Sequence, residues 1–427
     1  MPASMNTIRR SLLVTSAALL SVPLTAPAAS AAPSPSPTGS PSATPPAVMS
    51  SVGGARLGRP GTQVDPGGGA PAVPQGISAR SWIVADAESG EVLAAHNAHW
   101  RLAPASTLKM LFADTVLPKF PKELKHEVAP SDLAGMGAGS SLVGIKEHET
   151  YTVHDLWLGV FLRSGNDAVH VLAAMNGGVD ETVMEMNEQA EKLQALDTHV
   201  VTPDGYDEEG QVSSAYDLTL FARDGLQKKD FREYCSTVRS QFPGETKTGK
   251  DGKVSRGSFE IENTNRLLRG DGDVTVYPGI AGVKNGYTTH AGNTFTGVAE
   301  RNGKVLLVTV MHPEAKEHDA VYKESTALFD WGFRAAGKVR PVGELVPPKD
   351  AVRASASPDA TASDGSAGDH GADGASAGQA AASAAAGGGS SGIGTALAIA
   401  GGALLVLAGG VFLVNRRWPL PDLVRRR

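Results

Sequence analysis

Apolar residues change their pattern four times along this chain. From Leu12 to Leu20 they form a short run, preceded by Arg9 and Arg10 and followed by Ala29-Ser30-Ala31. A positive start, a short apolar middle and small residues at the exit mark a secretory signal peptide, so residues 1–31 are expected to be cleaved. Residues 32–76 are rich in Pro, Ser, Gly and Ala and have no strand or helix period. Such a stretch buries too little apolar surface to offset its ordering entropy, so a disordered linker is expected. Regular periods begin near residue 77 and stop near 345. Residues 346–392 return to Ala, Ser, Gly and Asp and are expected to form a second linker. Residues 393–414 are uncharged and apolar. As a helix they would be about 33 Å long, enough to cross a hydrocarbon core. Arg416, Arg417 and Arg425 to Arg427 follow in the tail 415–427. Positive charge stays inside, so the tail is expected in the cytoplasm, the helix as a single-pass anchor in the cell membrane and residues 77–345 on the outer side.

Within 77–345, two short apolar runs, Ser81 to Asp86 and Glu91 to Ala95, flank Glu88-Ser89-Gly90 and predict a β-hairpin. Residues 105–240 are mostly helical in pattern. Thr152 to Leu162 and Met184 to Leu196 carry apolar residues at helical spacing. Strands return at Gly297-Val298-Ala299 and at Val305 to Val310, joined through Arg301-Asn302-Gly303, an Asn-Gly hairpin signal. Ser325 to Ala335 predicts a closing helix. The fold class expected is α/β in composition and α+β in arrangement, with one sheet built from both ends of the segment around a helical insertion.

Composition narrows the chemistry. The 427 residues carry 39 Lys and Arg against 45 Asp and Glu, a net charge of −6, so nucleic acid is not an expected partner. The lone Cys235 excludes an internal disulfide and any cysteine-rich metal centre. His96 and His99 have no accompanying carboxylate or cysteine set in the sequence, and neither a metal nor a cofactor is expected. Lys228, Lys229 and Arg232 read as a solvated basic patch.

Three short motifs carry candidate chemistry. In Pro104-Ala105-Ser106-Thr107-Leu108-Lys109, a helix start would put Ser106 and Lys109 on one face. A serine hydroxyl needs an adjacent base, and a lysine serves if burial lowers its pKa. The same helix start offers backbone N–H groups to an oxyanion. Ser164-Gly165-Asn166 supplies a second hydroxyl and an amide. Lys284-Asn285-Gly286-Tyr287-Thr288 supplies a cation on a candidate strand, with Gly286 allowing close backbone approach. Alone, the first motif also reads as an N-capping serine with a surface lysine, and the second as a helix boundary with Gly and Asn as cap residues.

Together and in this order, Ser-x-x-Lys, Ser-x-Asn and Lys-x-Gly resemble the penicillin-recognising serine acyl-enzymes. The surrounding residues resemble the low-molecular-mass serine D-alanyl-D-alanine carboxypeptidases. They include Thr202-Pro203-Asp204-Gly205, Ser214-Ala215-Tyr216-Asp217-Leu218 and Asn263-Thr264-Asn265. The resemblance spans roughly residues 80 to 335. It implies a β-lactamase or transpeptidase-like fold, an antiparallel sheet flanked by helices with a helical subdomain. It implies Ser106, Lys109 and Ser164 as catalytic residues, and Asn166, Lys284, Asn285, Gly286, Tyr287 and Thr288 as the substrate-binding set. The implied partners are the peptidoglycan stem peptide and β-lactam antibiotics. One departure stands out: Asn285 occupies the position of the family's threonine, whose hydroxyl helps hold the substrate carboxylate. A non-catalytic domain that binds wall peptide and a β-lactamase of the same fold are the alternatives. A literal Lys247-Thr248-Gly249 lies before the Asn-Thr-Asn element and reads as an exposed loop.

Overall fold

The central strands of the main sheet are largely apolar on both faces because both faces are covered. In β2 (Ala79–Asp86), Trp82 and Val84 enter one core while Ile83 and Ala85 enter another. Alternate residues of a strand point to opposite faces, so an unbroken apolar run is what a sheet between two helical layers requires. The computed structural model describes residues 44–351. The expected signal peptide, the span 393–414 and the basic tail lie outside the described residues. Among the described residues no helix is long and apolar enough to cross a membrane.

In chain order, β1 (Thr62–Val64), β2 and β3 (Glu91–His96) lead into α1 (Lys109–Val116). The short β4 (Lys125–Glu127) and β5 (Thr150–Thr152) pair with each other and precede α2 (Val153–Arg163), α3 (Asn166–Met175) and α4 (Val179–Lys192). Next come α5 (Ala215–Gly225), α6 (Lys229–Ser236), the β6 (Arg239–Thr248) and β7 (Val254–Glu262) hairpin, and the short α7 (Arg266–Arg269). The chain returns through β8 (Ile280–Thr288), β9 (Gly292–Arg301), β10 (Lys304–Pro313), α8 (Ala320–Ala335) and β11 (Gly343–Glu344). The main sheet runs β1-β3-β2-β10-β9-β8, with β11 paired to β3 and every pairing antiparallel. The expected sheet, built from both ends of the segment, is therefore present.

Helix α8 covers one face, where Phe329 and Trp331 meet Val84, Leu306 and Val308. Helix α5 and the helical insertion cover the other, where Phe221, Trp157 and Phe112 join Ile83 and Leu307. The β9–β10 turn holds Asn302 and Gly303 at φ 53° and 73°, the left-handed pair that a two-residue hairpin needs. Helix α2 begins where Thr152 and Asp155 cap each other reciprocally. Helix α4 starts earlier and ends earlier than its apolar pattern suggests. Gly178 precedes it, and Gln194 at φ 62° turns the chain away before Leu196.

The linker expected over 32–76 is corrected for residues 44–76. Leu57 is fully buried, β1 extends the sheet beside β3, and Pro71 accepts a hydrogen bond from the Trp331 indole. Few apolar residues are needed because the segment lies along a face the domain already provides. At its start, Val52 O accepts from His99 Nε2, while His99 Nδ1 contacts Asp197 at 2.6 Å. Asp217 completes this buried group by accepting from Asp197 N and Thr198 Oγ1. Both ring nitrogens of His99 are thus engaged, and the cluster clamps the N-terminal segment to the helical layer. Burial, reinforced by the Asp197 charge, pushes the Asp217 carboxyl well up. At the far end, Val346 N donates to Tyr216 OH, and Lys349 pairs with Glu191, so ordered packing also continues past 345.

Candidate active site

The site forms where β8, the edge strand of the main sheet, meets the turn that carries Ser106. Residues Ala105–Leu108 form a 3₁₀ turn, not the first turn of an α-helix as expected, and α1 begins at Lys109. In a 3₁₀ turn, side chains three apart eclipse one another, so Ser106 and Lys109 are stacked. Lys109 Nζ donates to Ser106 Oγ at 2.8 Å and also to the backbone oxygen of Asp204. Its ammonium is buried, and that burial pushes its pKa down to about 8 against the attraction of Asp204 and Asp167. Near neutral pH a lysine in this state can act as a base toward an adjacent hydroxyl. Burial alone would raise the Asp204 carboxyl. The adjacent His170 ring and the charge of Lys109 outweigh it and hold it below the ordinary range.

The second wall comes from the α2–α3 junction. Ser164 caps α2 with a left-handed backbone (φ 55°), a conformation unusual for a residue with a Cβ. The sharp reversal presents its hydroxyl to Lys284 Nζ at 3.1 Å. Asn166 opens α3. Its Nδ2 donates to Ser140 Oγ, while its buried Oδ1 finds no partner among the described residues. That oxygen is available to a substrate amide N–H. Asp167, next in the chain, accepts from the N–H groups of Val143, Gly144 and Ile145 and so fixes the loop that carries Ser140.

The third wall is β8. Lys284 is buried, and burial together with the positive charge of Lys109 pushes its ammonium far below the usual lysine range. Besides Ser164 it donates to its neighbour's backbone oxygen, Asn285 O, at 2.8 Å. The need for glycine at 286 is met differently from expectation. A Cβ there would lie 2.7 Å from Ser106 N and 2.6 Å from Thr294 Oγ1, so Gly286 lets the strand approach the Ser106 backbone itself. Gly205 serves the same turn from the other side, since its Cβ would lie 2.0 Å from Ala105 O. Tyr287 is 70 % exposed, and Thr288 Oγ1 donates to Asp207. The motifs therefore meet around a cleft of about 270 Å³ lined by Ser106, Asn166, Tyr206, Tyr287 and Thr288. A larger cavity of about 800 Å³ lies between α5 and the sheet and contains none of these side chains.

Lys247-Thr248-Gly249 lies at the exposed tip of the β6–β7 hairpin, at the end of a strand and not in a loop alone. None of its side chains lines the cleft. Three contributors had no assigned role in the sequence: the Asp204 backbone oxygen, Asp207, and Thr264, whose hydroxyl donates to Asn285 Oδ1 at 3.1 Å. Two of them sit within or near Thr202-Pro203-Asp204-Gly205, but a backbone acceptor leaves no signature in side-chain identity.

Comparison with known proteins agrees with this geometry. Residues 69–315 match the model of the D-alanyl-D-alanine carboxypeptidase family of serine peptidases. D-alanyl-D-alanine carboxypeptidase DacB2 of Mycobacterium tuberculosis is 38 % identical over 63 % of this chain and 87 % of its own length. DacF of Bacillus subtilis is 32 % identical over 60 % of this chain, and the match spans 62 % of that protein's own length. The crystal structure of a D-alanyl-D-alanine carboxypeptidase from Mycobacterium tuberculosis superposes with a TM-score of 0.57 at 34 % identity, covering 66 % of this chain and all of that one. The Streptomyces K15 DD-transpeptidase superposes at 0.55 with 25 % identity, over 62 % and 99 %. With residues 69–315, more than half of the chain, matching its model, this chain belongs to the D-alanyl-D-alanine carboxypeptidase family of serine peptidases.

Proposed function

We propose that this carboxypeptidase works through an acyl-enzyme on Ser106, with Lys109 as its base. The observation that carries the assignment is the 2.8 Å contact between Lys109 Nζ and Ser106 Oγ, with the lysine buried. Neutral Lys109 takes the hydroxyl proton, and Ser106 Oγ attacks the carbonyl carbon between the last two D-alanines of a stem peptide. The oxyanion is held by the backbone N–H groups of Ser106 and Tyr287, an arrangement supported by the close approach of β8 to Ser106 N. Ser164 passes a proton to the departing D-alanine nitrogen as the C–N bond breaks, and water then hydrolyses the ester. Asn166 Oδ1 orients the peptide, and Lys284 and Asn285 face its terminal carboxylate. A β-lactam would acylate the same serine. We further propose that the domain acts outside the cell, tethered by the apolar segment 393–414, with the charge distribution at the two termini as support.

The test is D-alanine release from a stem pentapeptide by the full chain and its Ser106→Ala variant. Loss of release in the variant, with its thermal unfolding unchanged, is the expected result. Retained turnover would overturn the assignment. Fast, repeated hydrolysis of nitrocefin would instead favour the β-lactamase reading, and peptide binding without release the non-catalytic one.

A further inference from the structure

Asn285 raises a problem that a hydroxyl at the same position would not. A hydroxyl can rotate to donate to a carboxylate, whereas an amide has a donor end and an acceptor end. If Asn285 presented Oδ1 to the terminal carboxylate of the substrate, two acceptors would face each other. Something must decide which end points outward.

The structure offers one group for this. Thr264 Oγ1 donates to Asn285 Oδ1 at 3.1 Å, and no partner for Asn285 Nδ2 occurs among the described residues. Asn285 shares a strand face with Tyr287, two residues on, and Tyr287 lines the cleft with Ser106. Thr264 is itself held at both backbone groups. Its N–H donates to Leu162 O at 2.9 Å, in the last turn of the helix that ends on Ser164, and its carbonyl accepts from Tyr322 OH at 3.4 Å. Its neighbours are fixed as well: Asn263 Nδ2 donates to Thr237 O, and Asn263 Oδ1 accepts from Asn265 N. Thr264 thus ties the Ser164 wall to the Asn285 wall.

We propose that Thr264 is a positioning residue that acts through Asn285: its hydroxyl holds the amide oxygen so that Nδ2 donates to the substrate's terminal carboxylate. A hydroxyl can serve either end of an amide. The bound carboxylate makes the donor-outward arrangement the favoured one, and Thr264 supplies the partner that arrangement needs. This inference rests on the reading of the cleft as a D-Ala-D-Ala carboxypeptidase site.

The experiment measures kcat and KM for D-alanine release from a stem pentapeptide. It uses the full chain and the variants Thr264→Val, Thr264→Ser, Asn285→Ala and Thr264→Val/Asn285→Ala. Thr264→Val keeps the shape and removes the donor, so KM rises about tenfold with kcat within about twofold, the scale expected for loosening one charge-assisted hydrogen bond. Thr264→Ser keeps the hydroxyl and stays within about twofold of the wild type. In the Asn285→Ala background, Thr264→Val adds nothing further, because no amide remains to be oriented. An unchanged KM in Thr264→Val, or an equal effect with and without Asn285, would overturn the role of Thr264 while leaving the site reading intact. A folded wild type that releases no D-alanine would overturn the site reading and this role with it.

Discussion

Lys109 and Lys284 have different environments, and the different roles proposed for them follow from that. Both are buried, but only Lys109 touches the Ser106 hydroxyl, and it keeps two carboxylates nearby that limit how far its pKa falls. With a value of about 8, roughly one tenth of Lys109 is neutral at pH 7. The neutral form is the base, so the acylation rate is expected to rise about tenfold per pH unit below that value and to level off above it. Stopped-flow acylation by a fluorescent penicillin across pH measures this. Lys109→Arg keeps the charge but removes the base, and is expected to lose about 10²-fold or more at every pH. That Ser106, Lys109, Ser164 and Lys284 lie together was legible in the sequence because they stand in short motifs of fixed spacing. Asp204 and Thr264 were not, because the first acts through its backbone oxygen and the second through a neighbour that the family pattern does not contain.

Among the elements, the helices and strands follow their hydrophobic period, while their ends and junctions depend on tertiary contacts. The β9–β10 hairpin was readable from Asn302-Gly303 alone, since few residues accept positive φ there. The 3₁₀ turn at Ala105–Leu108 was not readable, because nothing in its composition separates it from an α-helical start. Tertiary contacts surround it: Gly205 and Gly286 both approach its backbone too closely for a Cβ. The α2–α3 junction behaves similarly. Asp167 takes three N–H groups from residues 143–145, a role invisible in a motif that shows only its neighbours. Asp167→Asn leaves at least one of those donors facing an amide N–H₂. It is expected to cost about 2 kcal/mol in urea unfolding and to lower kcat/KM for D-alanine release, because Ser140 and Asn166 lose their common support. Unchanged unfolding would show that the loop holds itself.

The domain as a whole is larger than its periodic part. Residues 44–76 look like linker by composition, yet they supply Leu57, an additional strand and the acceptor for the Trp331 indole. A composition rich in Pro and Gly signals disorder only where no existing surface receives the segment, and here the β3 edge, α8 and the His99–Asp197–Asp217 group receive it. Removing residues up to 76 is therefore expected to lower Tm by about 10 °C or more, at several kcal/mol of lost burial in a domain of this size. Differential scanning calorimetry of the chain with and without the segment measures it, and an equal Tm would return the segment to linker status. The central claim is that all three walls converge on one reactive serine despite Asn285. Its most direct test is peptide-mapping mass spectrometry of the full chain trapped with benzylpenicillin. A single penicilloyl adduct on Ser106, absent from Ser106→Ala, is the expected result. A folded protein with no adduct, or with the adduct on another residue, would contradict it.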